Sequence, residues 1–421
     1  MLRQPDHSRR VAITGVGIVS PVGNDAATAW ENVAEGRSGL GRITVFDPSP
    51  YPFQVAGEVK HFDILDYMDY KDARRTDRCV HFSVATAKQA VADAGFEITE
   101  ENREDVGVVF GTVGGCQQIY FSTDRAWRER GARAVNPLGL PNAQVDAASG
   151  AVSIATGARG HNFCPAAACS SGSVAIGEAA ELIRRGDCTA VIAGSAEAPL
   201  MELLHISFMN MRGLGLPLEG EPLETAIRPF DASRNGFVVG EGAAALLLED
   251  LELAKARGAR VYAEVVGYAA AADAYDMVAP APGGEGAARA IRRAMTRARI
   301  NPEDVGMINP HGTGTPIGDK REAEAFWGVF GDRTRDVLVS ATKSVSGHMQ
   351  AAAGSFEAAI TALSIYHGVV PGTLNYRNRD PECDLNVATE SRDVPLKYAI
   401  TDNVGLGGHN AALVLAGYEG D

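Results

Sequence analysis

The chain has 421 residues, 45% of them hydrophobic, enough to fill one large core or two half-cores. Lys and Arg number 39 against 53 Asp and Glu, and the formal net charge of −14 argues against nucleic acid as a partner. Six cysteines without regular spacing predict a reducing, cytoplasmic compartment with no disulfide framework, and without paired C-x-x-C motifs no metal site is expected.

In chain order, Met1-Leu-Arg-Gln-Pro-Asp-His lacks the apolar run of a signal peptide. No later segment reaches the ~18 uninterrupted apolar residues that would span a membrane. Val11-Ala-Ile-Thr-Gly-Val-Gly17 reads as an opening strand. Lys71-Asp-Ala-Arg74-Arg75-Thr-Asp-Arg78 is a basic cluster on an acidic background, and by composition alone it is a solvated helix face. Pro165-Ala-Ala-Ala-Cys169-Ser-Ser-Gly-Ser-Val surrounds one cysteine with small residues, and Ser173 to Arg185 continues with the apolar spacing of a helix. Cys169 is therefore expected as the first residue of a buried helix, whose positive end would stabilise a thiolate.

Two histidine runs follow. Val305 to Ile308 predicts a buried strand with His311 at its end, and glycines beyond it let backbone pass close to a ligand. Val339-Ser-Ala-Thr-Lys343-Ser-Val-Ser-Gly-His348 predicts a strand ending in a polar turn, before a helix of small residues. A lone cysteine is most often structural and a lone histidine most often a satisfied polar group. Together, one cysteine and two histidines at strand ends mark where α/β folds place their sites.

The chain also echoes itself. Ile98 to Thr112 resembles Ile300 to Thr313, Gly240 to Glu249 resembles Gly407 to Ala416, and Val11 to Gly17 has a counterpart in Ala263 to Ala269. Two α/β halves are expected, 1–255 and 256–421, with the seam near Lys255 to Arg260. Cys169 falls in the first half and both histidines in the second, so the site should be assembled between them.

The runs Ala-Cys169-Ser-Ser-Gly, His311-Gly-Thr-Gly-Thr-Pro and Thr-Lys343-Ser-Val-Ser-Gly-His348 resemble the three motifs of the condensing enzymes, nearest the β-ketoacyl-acyl-carrier-protein synthase II type. Ile227 to Asp231 and Asn235 to Gly242 match as well, and the likeness covers nearly the whole chain. The resemblance implies a thiolase-like five-layer αβαβα fold and a homodimer with strands paired between subunits, for which 162–167 is the candidate strand. It implies that Cys169 takes an acyl group from a thioester. A malonyl thioester then loses carbon dioxide, and its carbanion equivalent attacks the acyl-cysteine.

Family positions map onto this chain one by one. The backbone N–H groups of Cys169 and Leu406 match the oxyanion hole, and His311 and His348 the donors to the enolate oxygen. Desolvation should keep both imidazoles neutral. Lys343 is implied as an electrostatic anchor, with Glu357 as its structural support. Thr313 and Thr315 match threonines that contact a 4′-phosphopantetheine arm, which the acyl carrier protein delivers; no other cofactor is implied. Phe208 matches a residue lining the acyl pocket. Lys71, Arg74, Arg75, Arg133 and Arg212 fall at positions that dock the acidic carrier protein.

Several positions depart from the family pattern. Leu406 replaces a phenylalanine that gates the cysteine, and Asp276 replaces a histidine in the loop that works with the gate. Gly114 and Gly139 stand where relatives carry larger side chains, which predicts a roomier acyl tunnel. The first reading is a fatty-acid elongating synthase, and the second is the catalytic ketosynthase of a type II polyketide pair. A non-catalytic chain-length partner usually lacks the cysteine. A thiolase usually carries a second cysteine near the C-terminal glycine-rich loop, where this chain has His409. A cysteine hydrolase fits the cysteine and a histidine but leaves the second histidine and Lys343 without a role.

Overall fold

The computed structural model describes residues 9–420; the signal-peptide reading of Met1 to His7 lies outside them. Eleven strands form the main sheet: β1 (Val11–Val19), β2 (Val106–Gly111), β3 (Asn162–Phe163), β4 (Ala190–Glu197), β5 (Gly242–Asp250), β6 (Ala263–Ala272), β7 (Val305–Asn309), β8 (Leu338–Val339), β9 (Asn386–Val387), β10 (Tyr398–Gly405) and β11 (His409–Ala416). Their order is β9-β8-β7-β10-β11-β6-β1-β5-β4-β2-β3.

That order contains a repeat. Read outward from its middle, the first half runs β1-β5-β4-β2-β3 and the second runs β6-β11-β10-β7-β8, with β9 added at the far edge. The strands that echo each other in sequence, β1 and β6, β2 and β7, β5 and β11, occupy equivalent places. The two half-sheets are joined only where Ala12 and Ile13 of β1 pair with Glu264 and Ala263 of β6. Beyond that short seam they separate and leave room for helices between them.

Six helices make the other layers: α1 (Arg78–Asp93), α2 (Ala147–Thr156), α3 (Ser171–Arg185), α4 (Glu285–Ala298), α5 (Pro316–Phe330) and α6 (Ala352–His367). α1 and α2 cover the outer face of the first half-sheet, α4 and α5 that of the second, and α3 and α6 lie between the two. The result is the five-layer αβαβα arrangement. β1, β4 and β5 are buried along their whole length, which is why they read as continuous apolar runs and not as alternating ones. α6 is buried from Ala352 to Ile365, so it has no solvent-facing polar side and is made of small and apolar residues apart from Glu357. Among the described residues no helix is long and apolar enough to cross a membrane.

The two central helices meet backbone to backbone. A Cβ on Gly172 of α3 would lie 2.4 Å from the Ser355 nitrogen of α6, and a Cβ on Gly354 of α6 would lie 2.6 Å from the Ser173 nitrogen of α3. The two glycines are therefore counterparts across the repeat, each fitting against the other half. Because neither obstacle is a flexible side chain, Gly354→Ala should lower the unfolding free energy by about 1–3 kcal/mol, seen as a shifted urea midpoint without a changed slope. An unchanged midpoint would mean that the helices can separate freely.

Candidate active site

Each candidate catalytic side chain sits just beyond a regular element. Cys169 lies between edge strand β3 and α3, which begins at Ser171, so the cysteine precedes the helix and does not open it. The residue before it, Ala168, takes a left-handed φ of 49°, a strained conformation that turns the chain sharply at the nucleophile. His311 follows β7 after one proline, and α5 holds it from behind: Glu322 accepts hydrogen bonds from the His311 and Gly312 N–H groups at 2.6 and 2.8 Å. His348 lies between the short helix Lys343–Ser346 and α6.

These side chains converge. Nε2 of His348 is 3.1 Å from Cys169 Sγ, and the two imidazoles stand edge to face with centroids 5.2 Å apart. A ligand atom from each of Cys169, His311 and His348 falls within 4.8 Å of the others. They close the inner end of a cavity of about 330 Å³, lined also by Phe208, Arg212, Phe237, Thr313, Thr315, Gln350 and Leu406. The Thr313 and Thr315 hydroxyls are 3.0 Å apart. A larger groove of about 800 Å³ opens elsewhere, between residues 65–88 and 138–155, away from the cysteine.

A buried chain of polar groups fixes the imidazole of His311. Lys343, 1% exposed, is ion-paired with Glu357 of α6. The other Glu357 oxygen accepts from Asn403 Nδ2 at 2.7 Å, and Asn403 Oδ1 accepts from the Ser173 hydroxyl at 2.5 Å. Those two bonds fix which end of the Asn403 amide is the donor. Its Nδ2, 3.5 Å from His311 Nδ1, therefore donates to the ring, and the ring hydrogen is left on Nε2, facing the cavity. Burial pushes both histidines well below their usual pKa, and the nearby Lys343 ammonium pushes in the same direction. Both are neutral at pH 7, as the sequence leads one to expect.

The cysteine behaves differently from expectation. Burial raises its pKa to about 11, outweighing Lys343 and the backbone N–H groups of Leu406 and Cys169, which hydrogen-bond to the sulfur and lower it. A helix end does not create a resting thiolate here, because the apolar surroundings cost more than it supplies.

The Beta-ketoacyl synthase N-terminal domain model matches residues 8–254, and the Beta-ketoacyl synthase C-terminal domain model matches 262–377. The chain belongs to the β-ketoacyl synthase family. It is 43% identical over 413 residues to a Staphylococcus aureus protein named 3-oxoacyl-[acyl-carrier-protein] synthase 2, covering 98% of this chain and 99% of that one. A Synechocystis protein of the same name is 41% identical over 412 residues, with the same coverage. Among solved structures, a type II PKS ketosynthase in complex with its acyl-carrier protein and bound to the hexaketide superposes with a TM-score of 0.90 at 29% identity, covering 98% of this chain and all of that one.

The remaining expected positions of this β-ketoacyl synthase fall unevenly. Phe208, Thr313, Thr315, Leu406 and Arg212 line the cysteine's cavity. Lys71, Arg74, Arg75, Arg133 and Arg212 are all exposed, whereas Arg78, from the same basic run as Lys71, turns inward onto Glu241 at 2.8 Å. Gly114 and Gly139 do not line that cavity. The expected free space at Gly114 is corrected: Gln117 fills it, its Nε2 only 2.4 Å from where a Cβ would be. A Cβ on Gly139 would meet Thr123 at 3.3 Å. Asp276 caps its own loop through the Val278 and Ala279 N–H groups, but the loop does reach the Leu406 turn, where the Gly407 N–H donates to the Met277 carbonyl at 2.9 Å. Asn403, Glu322 and Gln350 escape the motif reading. Asn403 lies near the end of β10, but nothing local ties it to His311.

The cysteine's titration is testable. Iodoacetamide labelling of Cys169, followed by mass spectrometry, should speed up about tenfold per pH unit up to about pH 10, with no plateau near pH 8. A plateau below pH 8 would contradict burial as the dominant effect.

Proposed function

We propose that this chain is a decarboxylating condensing enzyme that elongates acyl chains on an acyl carrier protein in fatty acid synthesis. It would work as a cytoplasmic homodimer of thiolase-like halves 1–255 and 256–421. The observation that carries this reading is the meeting of one thiol and two neutral imidazoles at the closed end of a cavity with two hydroxyls along its wall. A hydrolase has no use for the second imidazole.

In the first stage the Cys169 sulfur attacks the acyl thioester and its proton passes to the departing sulfur of the carrier, which leaves as a thiol; His348 stays neutral with its hydrogen on Nε2. The oxyanion formed on the way is held by the backbone N–H groups of Cys169 and Leu406. In the second stage malonyl-carrier protein loses carbon dioxide, and its thioester oxygen takes on enolate charge. Nε2–H of His311 and Nε2–H of His348 donate to that oxygen. The enolate carbon then attacks the acyl-cysteine carbonyl and expels the Cys169 thiolate, releasing a β-ketoacyl chain two carbons longer. Lys343 compensates negative charge from behind.

Thr313 and Thr315 suit an amide-bearing pantetheine arm that must slide, since each hydroxyl can donate or accept. The exposed cations Lys71, Arg74, Arg75, Arg133 and Arg212 suit an acidic carrier. For the dimer, the support is β3, an exposed strand on the sheet edge whose outer side is unpaired among the described residues.

Two measurements follow. The purified chain, given malonyl-carrier protein and a ladder of acyl-carrier proteins, should elongate alone, with products weighed intact by mass spectrometry. Acylation of Cys169 without elongation would favour the polyketide reading, in which a partner subunit is missing. Reversing charge with Arg74→Glu and Arg75→Glu should cut kcat/KM for carrier-borne chains by about tenfold at low salt, the gap closing as salt rises. A salt-independent loss would place those arginines outside docking.

A further inference from the structure

One polar side chain in the cavity is left without a part in the chemistry. Gln350, two positions after His348, is 7% exposed and lines the same cavity as the cysteine. Its Oε1 is 4.0 Å from Cys169 Sγ, and its Nε2 is buried with no hydrogen-bond partner among the described residues. A buried amide left unpaired costs about 1–3 kcal/mol, so its presence needs an occupant to account for it. Its backbone is also strained, with a left-handed φ of 50°. An aliphatic side chain in its place would keep the backbone strain but remove the cost of the unpaired amide.

The other groups around the sulfur divide clearly. The imidazoles and the two backbone N–H groups serve thioester oxygens in the reading above. Phe208, Phe237 and Leu406 offer only apolar surface. Beside the sulfur, Gln350 presents an uncommitted donor, Nε2–H, next to an acceptor, Oε1, which lies at a distance from Sγ that an acyl chain reaches with its second or third carbon. A saturated chain would leave that donor unpaired; an oxygen on the chain would not.

We propose that Gln350 determines substrate class by hydrogen-bonding an oxygen, hydroxyl or keto, carried near the third carbon of the acyl group on Cys169. The inference rests on Cys169 accepting acyl groups from thioesters, and it adds that the accepted chains include β-oxygenated ones. Selectivity of this kind arises because a site built around a polar group discriminates against an analogue lacking its partner.

The test uses the full chain and two small thioesters of N-acetylcysteamine, hexanoyl and 3-hydroxyhexanoyl, which need no carrier docking. The acylation rate of Cys169 is read by intact mass for the wild type and for Gln350→Leu, with Gln350→Met as a second variant should the first fail to fold. In the variants, the 3-hydroxyhexanoyl to hexanoyl rate ratio should fall roughly tenfold, the loss of about one hydrogen bond. A ratio unchanged within about twofold would overturn the proposal and mean that the amide is only hydrated. No adduct on wild-type Cys169 from either thioester would overturn this proposal together with the acyl-transfer reading beneath it.

Discussion

A single buried ammonium governs the charge balance of this interior. Lys343 lies among four buried carboxylates, Asp319, Glu322, Glu357 and Asp402, and pairs directly with Glu357. Burial pushes all four acids upward, Asp319 to about 6 and Asp402 to about 7, while Lys343 pulls them back. The same charge lowers Cys169 and depresses both histidines. Removing it would leave Glu357 buried and unpaired, the costly way to break such a pair. The site depends on it because the cation favours negative charge at the sulfur without protonating the imidazoles that must donate neutral N–H bonds.

That charge is useful only because the two halves are held at close range. Gly172 and Gly354 let α3 and α6 touch through their backbones, which brings Ser173 of one half within reach of Asn403 of the other. Asn403 in turn connects Glu357 to His311. The tautomer of one catalytic histidine is thus set by residues from three separate stretches of chain. Duplication of a half-unit gives this arrangement its logic: equivalent strands end at the same level, and the loops beyond them meet in the middle layer.

Two of the departures from the family pattern, Leu406 and Asp276, gather at one place. Leu406 is 39% exposed, and the next residue, Gly407, is hydrogen-bonded to Met277, the neighbour of Asp276, so the two altered positions belong to one rim. A leucine there keeps the backbone N–H that points at the sulfur and gives up the flat face of an aromatic ring. The basic surface residues lie outside this rim, except Arg212, which joins it to the cavity wall.

The sequence by itself determined the strands and helices around the site, the repeat of the half-unit, and the grouping of Cys169, His311, Lys343 and His348. Those are written in local apolar spacing, in glycine-rich turns and in runs that need no distant partner to be recognised. Only the tertiary structure decided that Cys169 rests as a thiol, that Gln117 fills the space beside Gly114, that Asn403 sets the His311 ring, and that Nε2 of Gln350 has no partner among the described residues. Each of these depends on how far water is excluded and on which atoms from remote parts of the chain come within hydrogen-bond distance. Desolvation and pairing are properties of the packed molecule, and no run of neighbouring residues encodes them.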